Sequence, residues 1–538
     1  MKKKNSPTFR WFGSFAPWSK DLISGFIVAL LALPLSLGIA SASDFPNPLY
    51  GVLTAIIGGV VVSFISGAPL TIKGPAAGLI VIVAGSVSAL GWETTLAAIV
   101  VAAICQILFG LLKLGKLSNF FPLSAVHGML AAIGIIIISK QLHILMGINP
   151  TFPAGAMIHG ELVAGKPLVA PLDLFMALPK TFVEFIRNQV FQMSFLVGAI
   201  SLIVVFAWPL IKHPTLKKIP APLVVLVISI PVGMFSGLTQ DNKQLVKVGD
   251  FWSIINFHAD FSHISDHIGT FVQYVALFAI IGSLESLLTG RAIDLLDPYK
   301  RKSNFNRDLI AIGVGNAIAG TLGGLPMISE VARSSSNVNN GGKTRWANFF
   351  HGVVLFIFVA FLSSIIQLIP KSALAALLIG VGFKLAHPKE FIHMFRIGKE
   401  QLIVFIATII FTLVEDLLVG IAAGILVEMI VLLAKGAKLN SLFKSQADIS
   451  FNDERYEVRV NRSVLFTNFM GLKRRLESIP PSSHVQIYFD QCGVIDHSAM
   501  DQLEQFRKSY ELDGGIVEFL GLNNHRSFSK HELAGRKL

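Results

Sequence analysis

In GGLPMISEVARSSSNVNNGG, Gly323 to Gly342, a carboxylate (Glu330) and a guanidinium (Arg333) stand three residues apart, followed by Ser334 and Ser335. A carboxylate can carry a proton or neutralise a cation. A guanidinium presents a planar donor fork that fits an oxyanion. Two further charges raise the same question: Lys73 in SGAPLTIKGPAAG and Glu285 in ALFAIIGSLESLLTG. In water such groups would be solvated loop residues; at membrane depth they are costly and mark function.

The surroundings are apolar. The 538 residues are 53% hydrophobic and only 14% charged, with mean hydropathy +0.65, against roughly 25% charged in an ordinary soluble domain. Apolar runs read as fourteen spans at roughly 21–41, 50–66, 74–90, 94–113, 123–146, 191–212, 219–237, 268–290, 308–322, 329–339, 346–369, 371–386, 399–414 and 416–435. Connections after even-numbered spans carry Lys and Arg, whereas SDFPNP, GWETT and GGLPM carry none. By the positive-inside rule both termini are then cytoplasmic. The net charge of +12 is therefore distributed as topology requires and does not point to nucleic acid. The first run is followed directly by more spans, unlike a cleaved signal peptide. Between spans, LDLFMALPKTFVEFIRN reads as an amphipathic helix on the membrane surface. Cys105 lies in a span and Cys492 in the polar tail, so no disulfide is expected.

The third and tenth spans echo each other. Gly67-Ala68-Pro69-Leu70-Thr71-Ile72-Lys73 aligns with Gly324-Leu325-Pro326-Met327-Ile328-Ser329-Glu330, and small residues follow both. These are equivalent positions in two halves of seven spans, and an odd number per half gives the halves opposite orientation. Interrupted spans at matching places in inverted repeats point to a transporter's central site. Two half-helices entering from opposite faces would aim their N-termini at one midplane point and favour an anion there. The expected anion site comprises Gly74, Pro75, Ala76 and Ala77 on one side and Ala332, Arg333 and Ser334 on the other. Pro34 and Ser36, at a kink in the first span, form its wall. The repeat alignment sets Lys73 opposite Glu330, so a Lys73–Glu330 salt bridge is one reading of both charges. A proton-carrying Glu330 is a second reading, and a solvated loop residue a third.

Glu285 has no basic neighbour within five positions, and Thr289 lies one turn on along the same face. An unpaired ionised carboxylate there is unfavourable. It should bind a coupling Na⁺ with Thr289, carry a proton, face water, or be a hydrogen-bonded structural acid. There is no zinc-spaced Cys/His cluster and no G-x-x-x-x-G-K-[ST] loop, and no motif suggests an enzyme. No cofactor is expected beyond Na⁺ as a coupling ion.

After Lys435 the composition turns polar. YEVRV, HVQIYFD and GIVEFLGL alternate with GLKRRLES and SAMDQLEQFRKSYE, as in a small α/β domain. SGAPLTIKGPAAGLIVIV, FPLSAVHGMLAAIGIIIISKQL, GSLESLLTGRAIDLLDPYKRKSNFNRDLIAIGVGN and GGLPMISEVARSSSNV together resemble the sulfate permease (SulP) family of anion transporters, from about Asp21 to the C-terminus. The resemblance implies an α-helical polytopic membrane protein of fourteen spans in two inverted seven-span repeats. Spans 3 and 10 would be half-helices, a core would move against a gate, and dimers would be frequent. The substrate would be a small inorganic anion such as sulfate or bicarbonate. Glu285 and Thr289 match the cation site of sodium-coupled bicarbonate members, and Arg333 matches the family's basic anion-site position. The tail resembles the STAS domain, where Asp496-His497-Ser498-Ala499 stands in place of Asp-Ser-Ser-Gly and Ser498 matches a regulatory, phosphorylated serine. The implied organisation is a cytoplasmic segment over 1–20, a transport domain over 21–435, a linker over 436–454 and a STAS domain over 455–538. An inner-membrane homodimer moving sulfate or bicarbonate as H⁺ or Na⁺ symport is the expected function. An uncoupled exchanger or channel and a nucleobase transporter of the same architecture are the rivals.

Overall fold

The computed structural model describes residues 18–538 except 116–120, 152–156, 159–160, 163–167, 169–170, 214–215, 217–218, 263, 300, 416, 443–445, 453 and 513. The expected N-terminal segment up to residue 17, and Lys116, Lys217, Lys218 and Lys300 of the basic connections, lie outside the described residues.

The first seven membrane segments are α1 (Trp18–Ala42), α2 with its short continuation α3 (Leu49–Val60, Val62–Ile65), β1 leading into α4 (Lys73–Pro75, Ile80–Leu90), α5 (Trp92–Leu111), α6 (Leu123–Leu145), α8 (Gln189–Ala207) and α9 (Ala221–Phe235). Two short antiparallel strands, β2 and β3 (Met157–Ile158, Glu161–Leu162), and helix α7 (Pro171–Arg187) lie between α6 and α8. The second seven are α10 (Ile268–Leu296), α11 (Phe305–Thr321), β4 leading into α12 (Met327–Ser329, Val331–Asn339), α13 (Trp346–Ile366), α14 (Lys371–Leu385), α16 (Lys399–Val414) and α17 (Leu417–Ala434). Each expected span has its helix. Among the described residues six helices are long and apolar enough to cross a bilayer alone; the interrupted ones are shorter. The surface-helix reading of LDLFMALPKTFVEFIRN matches α7, whose outer side exposes Leu172, Phe175, Met176, Phe182 and Ile186. The connection read as merely basic after Leu385 contains a further helix, α15 (Pro388–Ile397), capped by His387 through the Lys389 N–H at 3.0 Å. Helix α1 runs unbroken through Pro34, so the expected kink does not interrupt it.

The chain forms two compact units: residues up to 115 with 133–385, and 116–132 with 386–538. In the first, helices approach closely through small residues, which takes the place of a hydrophobic drive inside lipid. A Cβ on Gly59 would fall 2.5 Å from the Cα of Gly352, and one on Gly313 would fall 2.8 Å from the Ala103 carbonyl.

The second unit contains the polar tail. Its sheet runs β5-β6-β7-β9 (Ala447–Asn452, Arg455–Val460, His484–Tyr488, Ile516–Leu520), with β5 antiparallel to β6 and the other pairs parallel. Helices α18 (Phe469–Glu477) and α19 (His497–Leu512) make the crossovers. Phe469, Leu472, Leu476, Val485, Ile487 and Leu503 fill its core. Strands β8, β10 and β11 (Val494–Ile495, Arg526–Ser527, Arg536–Lys537) form a second small sheet. The boundary expected at residue 455 falls inside the β5–β6 hairpin: β5 occupies the stretch read as linker. Its ADISFN side chains are mostly exposed, so the burial pattern that marks a strand in sequence is missing there.

His497, at the start of α19, is buried and its Nδ1 lies 2.7 Å from the Leu533 carbonyl, which a neutral ring satisfies by donating. Burial holds this imidazole down at about 4, against 6.5 in an exposed chain. The unfolded tail therefore binds a proton that the folded tail refuses between those values. The stability tied to His497 is complete above pH 6.5 and lost as pH falls toward 4. Burial holds the neighbouring Asp496 carboxyl up at about 7, which acts in the opposite direction over the same range. The His497 share, about 2 kcal/mol between pH 7 and pH 5, is therefore read as the difference in melting between wild type and His497→Ser across that interval. His497→Ser should lose that share; a wild-type pH slope in that variant removes the assignment.

Candidate functional site

The two interrupted segments meet as strands. β1 and β4 pair antiparallel with Lys73 opposite Ser329, Gly74 opposite Ile328 and Pro75 opposite Met327. Extended backbone survives at membrane depth only where every N–H and C=O is satisfied inside the protein. The Ala76 N–H donates to Pro326 at 3.1 Å and the Glu330 N–H to Ile72 at 2.9 Å. Side chains from surrounding helices take the remaining groups. Asn348 accepts from the Lys73 N–H at 3.1 Å, and Asn316 accepts from the Met327 N–H at 2.6 Å. Asn337 donates to the Leu70 carbonyl at 2.8 Å, and Ser334 accepts from the Ile72 N–H at 2.9 Å. None of the three asparagines is legible as a site residue by spacing. For Asn316 and Asn348 the available signal was an amide inside an otherwise apolar helix; Asn337 stands in the polar run VARSSSNVN and carries no such signal.

The Lys73–Glu330 salt bridge is not formed. Lys73 Nζ lies 3.0 Å from Asp308 Oδ1 and 2.9 Å from Ser66 Oγ, and also bonds Thr71 Oγ1. Glu330 instead faces Arg333, with Oε2 3.4 Å from Nε. Strand register supplies the reason. Lys73 pairs with Ser329, so Glu330 is one residue past the pairing, and successive side chains in a strand point to opposite faces. Aligning the repeats in sequence cannot see that offset. Asp308, in the first turn of α11, was read only as the edge of a span.

Arg333 is wholly buried. Its Nη2 donates to Ser36 Oγ at 3.2 Å, and Nη1 lies against Gly74, where a Cβ would come within 2.1 Å. Its Nε and Nη1 have no hydrogen-bond partner among the described residues. The structure thus brings Ser36, Gly74 and Arg333 together. Pro75, Ala76, Ala77 and Pro34 are buried beside them in the same segments, and Ser334 turns to the backbone of Ile72 and Glu330. Ala332, exposed, points away from this cluster. Glu285 joins from α10: its carboxylate lies against Gly78, where a Cβ would meet Oε1 at 1.9 Å, and Oε1 has no partner among the described residues. Thr289 is buried one turn further along α10. Glu285 and Glu330 interact electrostatically, with Arg333 beside Glu330. One guanidinium with spare donors, two helix N-termini and a second carboxylate with a free oxygen can receive an oxyanion next to a small cation or proton. In the tail, Ser498 is buried, and its Oγ accepts from the Leu123 N–H at 3.0 Å within the second unit.

Interrupted segments that pair as strands among membrane helices give the fold of a helical membrane transporter, and its family and relatives are transporters, not enzymes. The chain belongs to the sulfate permease family, whose profile matches residues 18–408. Among its relatives, YvdB of Bacillus subtilis (strain 168) is 26% identical over 417 residues, 77% of this chain and 73% of that one. In fold, it is similar to the transmembrane domain of a cyanobacterium bicarbonate transporter, BicA. That match has TM-score 0.64 and 22% identity over 77% of this chain and 98% of that one. It is also similar to murine Slc26a9, an anion transporter in the inward-facing state. Here the TM-score is 0.65 and identity 16%, over 95% of this chain and 86% of that one.

Proposed function

We propose that this chain is a secondary active transporter that carries sulfate or bicarbonate across the inner membrane in symport with H⁺ or Na⁺. The observation that carries the reading is Arg333: fully buried in the first turn of α12, its Nη1 against Gly74 ahead of α4, with two donors unspent. The anion lies on Arg333, Ser36 and the backbone of Gly74 to Ala77. Glu285 and Thr289 hold the coupling ion: a carboxylate oxygen without a partner and a buried hydroxyl one turn apart fit Na⁺, and the same carboxylate can hold a proton instead. The family's name favours sulfate, and the likeness to BicA, named as a bicarbonate transporter, keeps bicarbonate beside it. In this reading the tail is a cytoplasmic STAS domain, the assembly is a homodimer, and Ser498 regulates only when the tail opens enough to expose it.

Uptake of labelled sulfate and bicarbonate into proteoliposomes, at fixed pH with and without an inward Na⁺ gradient, tests the reading. Arg333→Ala should lower uptake at low substrate by about 10–100-fold, the worth of one or two charge-assisted hydrogen bonds. Glu285→Gln should abolish the dependence on the driving gradient. Uptake indifferent to Arg333 refutes the anion site, and gradient-driven uptake surviving in Glu285→Gln leaves an uncoupled exchanger.

A further inference from the structure

We propose that Glu330 is a tethered counter-anion: it occupies Arg333 while the site is empty, the arriving substrate must displace it, and it thereby sets which anions are carried. The inference rests on the anion-site reading of Arg333 and concerns a residue that reading leaves without a role.

Two buried ion pairs flank the paired strands β1 and β4, and they are built differently. Lys73–Asp308 is a closed pair. The ammonium bonds Asp308, Ser66 and Thr71, and Asp308 Oδ1 also accepts from Ser66 Oγ at 2.6 Å and the Ala68 N–H at 3.3 Å. Glu330–Arg333 is an open one. The Nε–Oε2 separation is 3.4 Å, and neither atom completes a hydrogen bond with any described residue. Glu330 is the last extended residue before α12, yet its side chain makes no cap hydrogen bond. Its carboxylate is therefore committed neither to the helix end nor to a hydrogen-bonded pair. It supplies charge and little else.

A buried guanidinium without a counter-charge is prohibitive, so the empty site needs an anion of its own. A carboxylate held at ion-pair distance without hydrogen bonds provides that charge while leaving the donors free. An oxyanion brings two oxygens that engage the guanidinium fork side by side, and so gains what Glu330 does not make. A halide brings a point charge and gains much less over the resident carboxylate. Once displaced, Glu330 remains at the N-terminus of α12, where the helix dipole tolerates a negative charge. The arrangement also keeps the empty carrier's Arg333 neutralised on its return step.

Kinetics of full-length Glu330→Gln in proteoliposomes, with labelled sulfate and bicarbonate and with chloride as competitor, tests this. The half-saturating concentration of the carried anion should fall about tenfold while the maximal rate stays level or drops. Chloride should inhibit at a concentration lower by a similar factor. A purely structural role would instead raise half-saturation or lower only the rate. Half-saturation unchanged or raised in a folded Glu330→Gln overturns the proposal. Should that variant fail to fold, Glu330→Asp keeps the charge on an arm one methylene shorter. It must lower half-saturation by a smaller factor, and no fall overturns the proposal equally. Wild-type protein that takes up none of these anions sinks the transport reading and this inference together. Wild-type uptake with unmoved kinetics in the variants sinks this inference alone.

Discussion

Lys73→Met is expected to destabilise the membrane unit by roughly 3–5 kcal/mol, the cost of leaving one partner of a buried ion pair behind. Lys73 is fully buried and Asp308 nearly so. Methionine keeps the length of the arm and removes the charge, and the carboxylate is then left with Ser66, Ser329 and the Ala68 N–H. These hydrogen bonds partly offset the loss but cannot balance the charge. The double variant Lys73→Met/Asp308→Leu should recover most of the stability, because replacing both members with apolar groups removes the uncompensated charge. Lys73→Met/Glu330→Gln should be additive within about 0.5 kcal/mol, since the two side chains leave the strands on opposite faces and share no partner. Thermal midpoints in detergent, with and without bound anion, give all three values. A Lys73→Met protein that melts with the wild type, or a double variant no better than the single, would show that Asp308 does not depend on Lys73.

The second large effect is functional and comes from glycines. Gly74→Ala sets a methyl group 2.1 Å from the place now held by Arg333 Nη1. The obstacle is the end of a flexible side chain, so the fold can yield at small cost, but only by moving the guanidinium off the anion position. The expected result is kcat/KM for anion uptake lower by about 10–100-fold, the loss of charge-assisted hydrogen bonds, with a melting temperature close to wild type. Gly78→Ala does the same to Glu285, whose Oε1 lies 1.9 Å from the new Cβ. Its signature should be lost response to the Na⁺ or H⁺ gradient, with anion exchange retained. Gly269→Ala, with nothing within 4 Å of the added carbon, is the control and should transport normally. Normal coupled uptake by both Gly74→Ala and Gly78→Ala would show that Arg333 and Glu285 do not act from these positions.

The sequence by itself determined the membrane class, the fourteen segments, the pairing of the third and tenth of them, and the residue types at their meeting point. Each of these rests on a local property: a run of apolar residues long enough for a bilayer, basic residues confined to alternate connections, a Gly-x-Pro break before small residues. It also singled out Arg333 and Glu285, because a charge inside an apolar run is visible without knowing what it touches. The tertiary structure decided which charge answers which. Lys73 belongs to Asp308 across a separation of 235 residues, and Glu330 belongs to Arg333. The three-residue register of β1 and β4 turns Lys73 to one face and Glu330 to the other, where the repeat alignment had set them opposite each other. The asparagines that satisfy the paired strands, Asn316, Asn337 and Asn348, were equally out of reach, as was the edge strand Ala447–Asn452 of the tail sheet. Partner choice inside a membrane depends on which face of a strand or helix a side chain leaves from and what stands across from it. One residue of register reverses that outcome while leaving composition, hydropathy and motif unchanged.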